Sequence, residues 1–208
     1  MSRGPQMICV MATESGTDED CEAGGRIAKT LIDHYMRRPS VEDRVMGILA
    51  KECNKSLYVP GSADPFGCCD MAALLMLEEE VRWLVSGTSR VYHFFDRKLA
   101  GGSGDSPYPL LGQRMAYDPI LDPPIRLREG DNAFLLASRK LAETVSVSEM
   151  EQALADSADA ADWMEKLIQR AGEDTQFCAV TVFVKPMGPQ SILQKARRAI
   201  LGRAASKR

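Results

Sequence analysis

A group of carboxylates directly after the first apolar run holds the residues best suited to metal chemistry. Carboxylate oxygens are the ligands that hard divalent cations prefer in proteins. Acidic side chains in a polar stretch are, however, usually just solvated. Segment 13–21 is therefore predicted to be a solvated loop, with a metal site built from the loop as the alternative. The acidic residues of this segment are Glu14, Asp18, Glu19 and Asp20.

The cysteines and histidines predict neither a zinc site nor a covalent hydrolase. The two histidines, His34 and His93, lie far from each other, and the sequence has no C-x-x-C pair. Zinc sites need clustered ligands, and no serine or cysteine has a nearby histidine in the pattern of an activated nucleophile. Most cysteines lie among apolar neighbours, which indicates small buried hydrophobes in a reducing compartment. The cysteines are Cys9, Cys21, Cys53, Cys68, Cys69 and Cys178.

Length and hydropathy favour one compact domain in the cytoplasm. A chain of 208 residues that is 45% hydrophobic can bury a core of ordinary size. No apolar run approaches the ~20 residues of a membrane helix, and residues 1–6 lack the apolar region of a secretory signal. We therefore expect no transmembrane segment.

Charge is distributed unevenly along the chain. The net charge is -3, but residues 195–208 hold six basic and no acidic side chains. Residues 1–194 therefore hold 20 basic and 29 acidic side chains, a net charge of -9. An acidic body argues against nucleic acid as the partner.

The spacing of apolar residues predicts strands and helices in separate blocks, which is typical of an α+β layered fold. Ser40 with Asp43 and Ser146 with Glu149 have the spacing of helix N-caps. The strands between residues 68 and 95 are predicted to form an antiparallel meander, and 125–138 a hairpin. Residues 101–117 are predicted to form an irregular loop. The predicted helices cover 23–36, 40–52, 146–154 and 160–171, and the predicted strands cover 7–12, 68–77, 81–85, 90–95, 125–128, 133–138 and 177–184.

The sequence of residues 132–146 predicts a buried strand that ends in polar side chains at the edge of a sheet. An apolar run ends abruptly at Ser138-Arg139-Lys140, and helical spacing follows. Asp70 interrupts another apolar run, 67–77, and is interpreted as a strand-end residue or the partner of a nearby arginine.

Four sequence segments, in the same order and over most of the chain, resemble motifs of the metal-dependent protein Ser/Thr phosphatases. This is the PPM family, also called protein phosphatase type 2C. Residues 67–75 look like the family's Gly-Ser/Thr-Thr-Ala strand, and 85–99 look like its Val-Gly-Asp-Ser-Arg-Ala-Tyr hairpin. Residues 129–138 resemble its Gly-Asp-x-Phe-Leu-Leu-Ala-Ser strand, and 143–146 with the following helix also fit.

The resemblance implies a four-layer α-β-β-α sandwich of two antiparallel sheets flanked by helices. Only twelve residues precede Thr13, so the first strands of the family fold are expected to be missing. We expect a single phosphatase-like domain over residues 1–190. Residues 191–208 are expected to form a basic, helical tail, with a solvated or frayed tail as the alternative.

The resemblance also implies a pair of Mg²⁺ or Mn²⁺ ions held by aspartates, and most of these aspartates are replaced. The family's first aspartate and its glycine fall on Thr13 and Glu14, and its second aspartate falls on Arg139. Asp174 matches the third. A guanidinium opposes the binding of dications, so no cofactor is expected, and Mg²⁺ or Mn²⁺ is expected only if the protein is active.

Three functions remain open at this point. The first is a pseudophosphatase that binds a protein partner, with Arg139 and Lys140 as contacts to a phosphorylated one. The second is a divergent metal-dependent phosphoserine/phosphothreonine phosphatase that uses Asp174 and the acidic loop. The third is a structural subunit that forms a homodimer through an exposed sheet edge. The basic tail could in addition contact an anionic membrane or an acidic partner.

Overall fold

Two antiparallel sheets of four strands each form the centre of the computed structural model, which describes residues 7–14, 22–37, 44–58, 68–77, 80–104, 108–172 and 175–184. The strands are β1 (Met7–Glu14), β2 (Cys69–Met76), β3 (Glu80–Ser86), β4 (Arg90–Phe95), β5 (Lys98–Gly102), β6 (Ile125–Arg126), β7 (Asn132–Ala137) and β8 (Ala179–Val184). The helices are α1 (Glu22–Arg37), α2 (Val45–Leu57), α3 (Arg139–Thr144), α4 (Val147–Ala155) and α5 (Ala160–Ala171).

The sheets lie face to face between two layers of helices. The first sheet has the strand order β1-β2-β3-β6, and the second has β5-β4-β7-β8. Helices α1 and α2 pack on the outer face of the first sheet, and α3, α4 and α5 pack on the outer face of the second. The predicted four-layer α-β-β-α sandwich is confirmed.

The central strands are apolar throughout because both of their faces are buried. On β2, Ala73 and Leu75 face the helices, whereas Ala72 and Leu74 face the second sheet. Side chains alternate between the two faces of a strand, so a strand between two apolar layers needs apolar residues at every position. All eight residues of β2 are buried, including its one acidic residue, Asp70.

The helices on the second sheet are fixed by one buried indole and one cap. Trp163 of α5 is fully buried and meets Phe94 edge-on, with ring centroids 5.4 Å apart. Its Nε1 donates a hydrogen bond to the carbonyl oxygen of Met150 on α4. Ser146 Oγ accepts from the Glu149 amide, and the Glu149 carboxylate accepts from the Ser146 amide. The predicted capping box of α4 is confirmed.

Two predicted strand pairings are wrong, because the chain crosses from one sheet to the other where the sequence suggested a hairpin. The expected meander breaks after β3, since β4 pairs with β5 and β7 in the second sheet. The expected hairpin of 125–138 does not form either, since β6 pairs with β3 and β7 pairs with β4 and β8. Gly87, with a φ of 66°, starts the first crossing. Strands that change sheets through a bend are a known way to close a sandwich.

Several element boundaries also differ from the predictions. Thr13 and Glu14 were expected in a loop but extend β1, because they pair with Asp70 and Cys69. Gly101 and its neighbours, expected to be irregular, form β5 after the turn at residues 96–97. Helix α2 continues to Leu57 instead of ending at residue 52, and the closing strand begins at residue 179 instead of 177. The Ser40–Asp43 cap and the tail 191–208 lie outside the described residues. None of the helices in the described ranges is long and apolar enough to cross a membrane.

His93 is a buried polar residue of β4 whose tautomer is fixed by its neighbours. Its Nε2 lies 3.0 Å from Asn132 Oδ1, and Asn132 Nδ2 donates to the carbonyl oxygens of Arg128 and Gly130. The Asn132 oxygen must therefore accept, so the proton is on Nε2. The imidazole also stacks on Phe134 with centroids 4.6 Å apart. Burial lowers the pKa of His93, and the Arg128 charge lowers it further against the opposing effect of the Asn132 hydrogen bond.

We expect the free energy of unfolding to fall as the pH drops below about 6.5, the ordinary pKa of histidine. Below that pH the unfolded chain binds a proton that the folded chain, with its lowered pKa for His93, does not. The loss should end once the pH reaches the lowered pKa. Urea denaturation of the wild type and of His93→Gln between pH 7.5 and 5.5 checks this. An equally steep loss in both proteins over that range would contradict the role assigned to His93.

Candidate functional site

A cleft of about 580 Å³ opens at the edge of the sandwich where β3 and β7 end and β2 begins. Asp70 comes from the start of β2, and Gly87 and Thr88 follow β3. Arg139 is the first residue of α3, directly after β7. The remaining lining residues belong to the segment 108–120, which forms one wall. They are Tyr108, Pro109, Leu110, Gln113, Arg114, Ala116, Tyr117, Asp118 and Ile120.

The wall is held against the first sheet by a buried hydroxyl. Ser86 at the end of β3 is fully buried, and its Oγ lies 2.9 Å from the carbonyl oxygen of Pro109. The same Oγ accepts a hydrogen bond from the Leu111 amide, and Leu111 in turn forms a bridge with Cys69 of β2. An irregular segment must satisfy its backbone polar groups somewhere, and here the sheet edge satisfies them.

A second anchor comes from the helix layer. Asn54 of α2 is 1% exposed, and its amide nitrogen donates to the carbonyl oxygen of Arg114 at 3.0 Å. Its amide oxygen accepts from the Gly112 amide at 2.8 Å. A buried amide that uses both of its ends in this way fixes the middle of the wall. The position of Arg114 in the wall of the cleft is consequently fixed.

The two tyrosines of the wall are structural at neutral pH. The backbone of Tyr108 pairs with Gly87, and its hydroxyl accepts from the Gly104 amide. Burial raises the pKa of Tyr108 above its usual value and raises that of Tyr117 to about 12. Both phenols therefore stay protonated, and neither can act as a general base.

Asp70 is one of the two described acidic residues that line the cleft. Its residue is only 2% exposed, and its Oδ2 accepts a hydrogen bond from Thr88 Oγ1 at 2.5 Å. Across the sheet it is paired with Thr13 of β1. A buried carboxylate is costly unless it is hydrogen-bonded or paired with a cation. The position near the start of β2 agrees with the predicted strand-end location.

Arg139 brings a positive charge into the cleft at the place where the resemblance expects a metal-binding aspartate. It occupies the first turn of α3, and its side chain is 44% exposed. Its Nε lies 3.7 Å from a carboxylate oxygen of Glu143 one turn later on the same helix. An exposed pair of this kind is weak, so it adds little to the stability of the fold.

The other predicted site residues are only partly brought together. Thr13 is fully buried, and its Oγ1 has no hydrogen-bond partner among the described residues. The backbone of Glu14 ends β1 opposite Cys69, while Lys140 is exposed and does not line the cleft. Asp174 and the acidic residues at 18–20 lie outside the described part of the chain.

Among the described residues, the cleft offers two carboxylates, Asp70 and Asp118, and these alone do not complete a site for a pair of divalent cations. Such ions need several oxygen ligands, most of them carboxylates. Thr13 offers a neutral hydroxyl at the first expected position, and Arg139 offers a cation at the second. Within the described ranges, no group of three or more His, Cys, Asp or Glu side chains could hold a metal ion.

Comparison with solved structures identifies the fold. The serine/threonine phosphatase of S. agalactiae superimposes with a TM-score of 0.71 at 14% identity, over 87% of each chain. Stp1 from Staphylococcus aureus gives a TM-score of 0.70 at 16% identity, over 86% of this chain and 84% of that one. The Mycobacterium tuberculosis phosphatase PstP/Ppp gives 0.65 at 14% identity, over 88% of each chain. This chain has the PPM phosphatase fold. No family model and no curated protein matches the sequence.

The PPM fold agrees with the resemblance seen in the sequence. At these low sequence identities, however, the structural similarity establishes only the fold. Activity must therefore be argued from the residues of this chain. Sequence reasoning missed the wall of the PPM-fold cleft, because nothing in the composition of 101–117 marks Tyr108 or Arg114 as lining residues. A signal did exist for Asp70, as one acidic residue inside an apolar strand.

We expect Gly87→Ala to destabilise the protein by more than about 2 kcal/mol. Gly87 has a φ of 66°, and an added Cβ would lie 1.8 Å from Asp70 Oδ1 and 2.8 Å from Leu110. The methyl group would therefore displace both the carboxylate and the wall. Gly101→Ala is the matched control, because its Cβ would meet nothing within 4 Å. Urea denaturation that gives equal losses for both variants would contradict the close packing at Gly87.

Proposed function

We propose that this PPM-fold chain is a pseudophosphatase, a binding and regulatory module that takes a protein partner into the cleft in place of metal-dependent hydrolysis. One observation carries the proposal. A guanidinium, Arg139, lines the cleft where the resembling family has a metal-binding aspartate. The buried Thr13 at the other matched position supports the same conclusion.

Electrostatics explain why Arg139 matters more than the loss of a ligand. A unit charge about 4 Å from another of the same sign costs roughly 4 kcal/mol at an effective dielectric constant of about 20, and a dication about doubles that. Solvent screens part of this repulsion because the Arg139 side chain is 44% exposed, but its sign still opposes metal binding. We therefore propose that the protein acts without Mg²⁺ or Mn²⁺.

The chemistry of the cleft supports an anionic group on the partner. Arg139 and Arg114 line it together with two carboxylates, Asp70 and Asp118, and arginine binds carboxylates and phosphates through two parallel hydrogen bonds. Leu110, Ala116 and Ile120 add apolar contact area beside these charges. A phosphorylated side chain with apolar neighbours has this combination of properties. The Lys140 contact predicted from the sequence stays a prediction at the edge of this site.

The cellular setting is part of the same proposal. Cys53, Cys68 and Cys69 are buried free thiols. Burial raises the pKa of Cys53 to about 12 and that of Cys68 above its usual value, so both are unreactive as thiols. Free thiols are typical of proteins in the reducing cytoplasm. We therefore propose that the protein is located there and acts in signalling.

Calorimetric titration with Mn²⁺ tests the loss of the metal site. We expect no saturable binding to the wild type at metal concentrations up to about 1 mM, because Arg139 repels the dication. Arg139→Asp should bind Mn²⁺ at least about tenfold more tightly than the wild type. Lys140→Asp is the matched control, since it changes charge equally but lies outside the cleft.

Micromolar binding of two Mn²⁺ ions to the wild type, together with metal-dependent hydrolysis of a phosphopeptide, would refute the pseudophosphatase. That result would establish the divergent phosphatase instead, with ligands that include residues outside the described ranges.

Fluorescence polarisation with a labelled phosphoserine peptide tests the proposed ligand. We expect Arg139→Ala and Arg114→Ala each to weaken binding by about tenfold, since a hydrogen bond to a charged group contributes about 1.5–3 kcal/mol. The unphosphorylated peptide and the Arg126→Ala variant serve as controls, because Arg126 is exposed on β6 and does not line the cleft. Unchanged affinity after removal of either cleft arginine would show that the phosphate lies elsewhere.

A further inference from the structure

The two edge strands β1 and β8 lie on the same side of the sandwich. β1 is the edge of the first sheet and β8 the edge of the second. They stack directly, since Cys9 and Met11 of β1 share the core between the sheets with Val180 and Val182 of β8. This side of the molecule, the β1/β8 edge, is therefore a surface two strands deep.

The opposite side of the sandwich is protected against pairing with another strand. Its edge strand β6 is only two residues long and ends in Arg126. Its other edge strand, β5, begins with the exposed Lys98, and its register with β4 shifts at a bulge. Short strands, charged side chains and bulges are the devices by which proteins prevent edge-to-edge association.

The β1/β8 edge has neither a short strand nor a bulge in its described residues, and its one charged residue is Glu14 at the end of β1. β1 is eight residues long, pairs with β2 in an unbroken register, and carries no charge between Met7 and Thr13. β8 has six uncharged residues and is equally regular against β7. Within the described chain, β1 pairs with β2 alone and β8 with β7 alone. Most side chains of both strands are only partly buried, and Met7 is 41% exposed.

We propose that the β1/β8 edge is the interface of a homodimer, in which the β1 strands of two copies pair antiparallel about a two-fold axis. A second copy of the chain always carries the same open edge strand, which can pair antiparallel with the first. It would continue the first sheet across the dimer, and the two β8 strands would approach each other in the second sheet. None of the described residues that line the cleft belongs to β1 or β8, so the dimer does not rest on the proposed function.

The faces of β1 restrict how the two strands can pair. Ile8, Val10 and Ala12 face the helices, whereas Cys9 and Met11 face the second sheet. A two-fold axis through Val10 keeps these faces matched, because it places Ile8 of one copy opposite Ala12 of the other. The same register sets Met7 opposite Thr13 and pairs all of residues 7–13.

The size of the β1/β8 edge is near the minimum for a specific dimer. Eight residues extend about 27 Å, and two sheets about 10 Å apart, with their side chains, give a face roughly 20 Å deep. Each copy would then bury about 500 Å² and the pair about 1,000 Å², at the lower limit of specific interfaces.

Light scattering during size exclusion, from about 1 to 200 μM protein, tests the dimer. We expect the mass to reach twice the 22.9 kDa of one chain. Hydrogen exchange should show that amides of residues 8–13 become protected as the dimer forms. A monomer at every concentration would overturn the proposal, and so would a dimer whose β1 amides exchange as fast as those of the monomer.

Two matched variants locate the interface. Met7→Lys places a charge on the β1/β8 edge, whereas Leu99→Lys places the same charge on β5; the two side chains are 41% and 40% exposed. We expect Met7→Lys to raise the dimer dissociation constant about tenfold and Leu99→Lys to leave it unchanged. The reverse result would assign the dimer to the opposite side.

A cross-link tests the register independently of any destabilisation. Val10→Cys should form an intermolecular disulfide under mild oxidation, because opposed strand residues lie about 4.5–5.5 Å apart between Cα atoms. The wild type, oxidised in parallel, gives the background from its own thiols. No increase over that background would exclude the axis through Val10.

Discussion

The cleft depends on one fully buried hydroxyl. Ser86 Oγ lies between the carbonyl oxygens of Pro109 and Cys69, at 2.9 and 3.2 Å, and accepts from the Leu111 amide at 3.0 Å. The long connection between β5 and β6 has no helix or strand of its own in its described residues. This anchor and that of Asn54 satisfy backbone groups of the connection in addition to its bridges with Gly87 and Cys69. The wall of the cleft, and with it the position of Arg114, follows from these contacts.

Much of the layered fold could be predicted because both sheets have strongly apolar strands and the helices have regular spacing. The capping box at Ser146 identified the start of α4, and the polar break after Ala137 identified the start of α3. The pairing of β3 and β6 could not be predicted. The alternation of side chains along a strand predicts that the strand has two faces. It does not predict which strand will lie beside it in the sheet. The crossing at Gly87 is a property of the assembled sandwich.

The candidate site could likewise be predicted only in part. The replacement of a family aspartate by Arg139 could be predicted from the sequence, because β7 keeps its spacing up to Ser138. The meeting of Arg139 with Arg114 and Asp70 could not, since these residues come from distant segments that only the folded chain brings together. Lys140, next to Arg139 in sequence, is not among the described residues that line the cleft, since successive residues of a helix face different directions. Proximity in the chain was a poor guide to proximity at the site.

The repeated crossing between sheets also determines how the protein can unfold. The first sheet takes strands from residues 7–14, 69–86 and 125–126, and the second takes them from 90–102, 132–137 and 179–184. No single cut in the chain therefore separates one complete sheet from the other. Each sheet buries its inner face only against its partner, so loss of one exposes the core of the second. The two sheets must accordingly unfold as one cooperative unit, and during synthesis neither is completely covered until the last strand has been made.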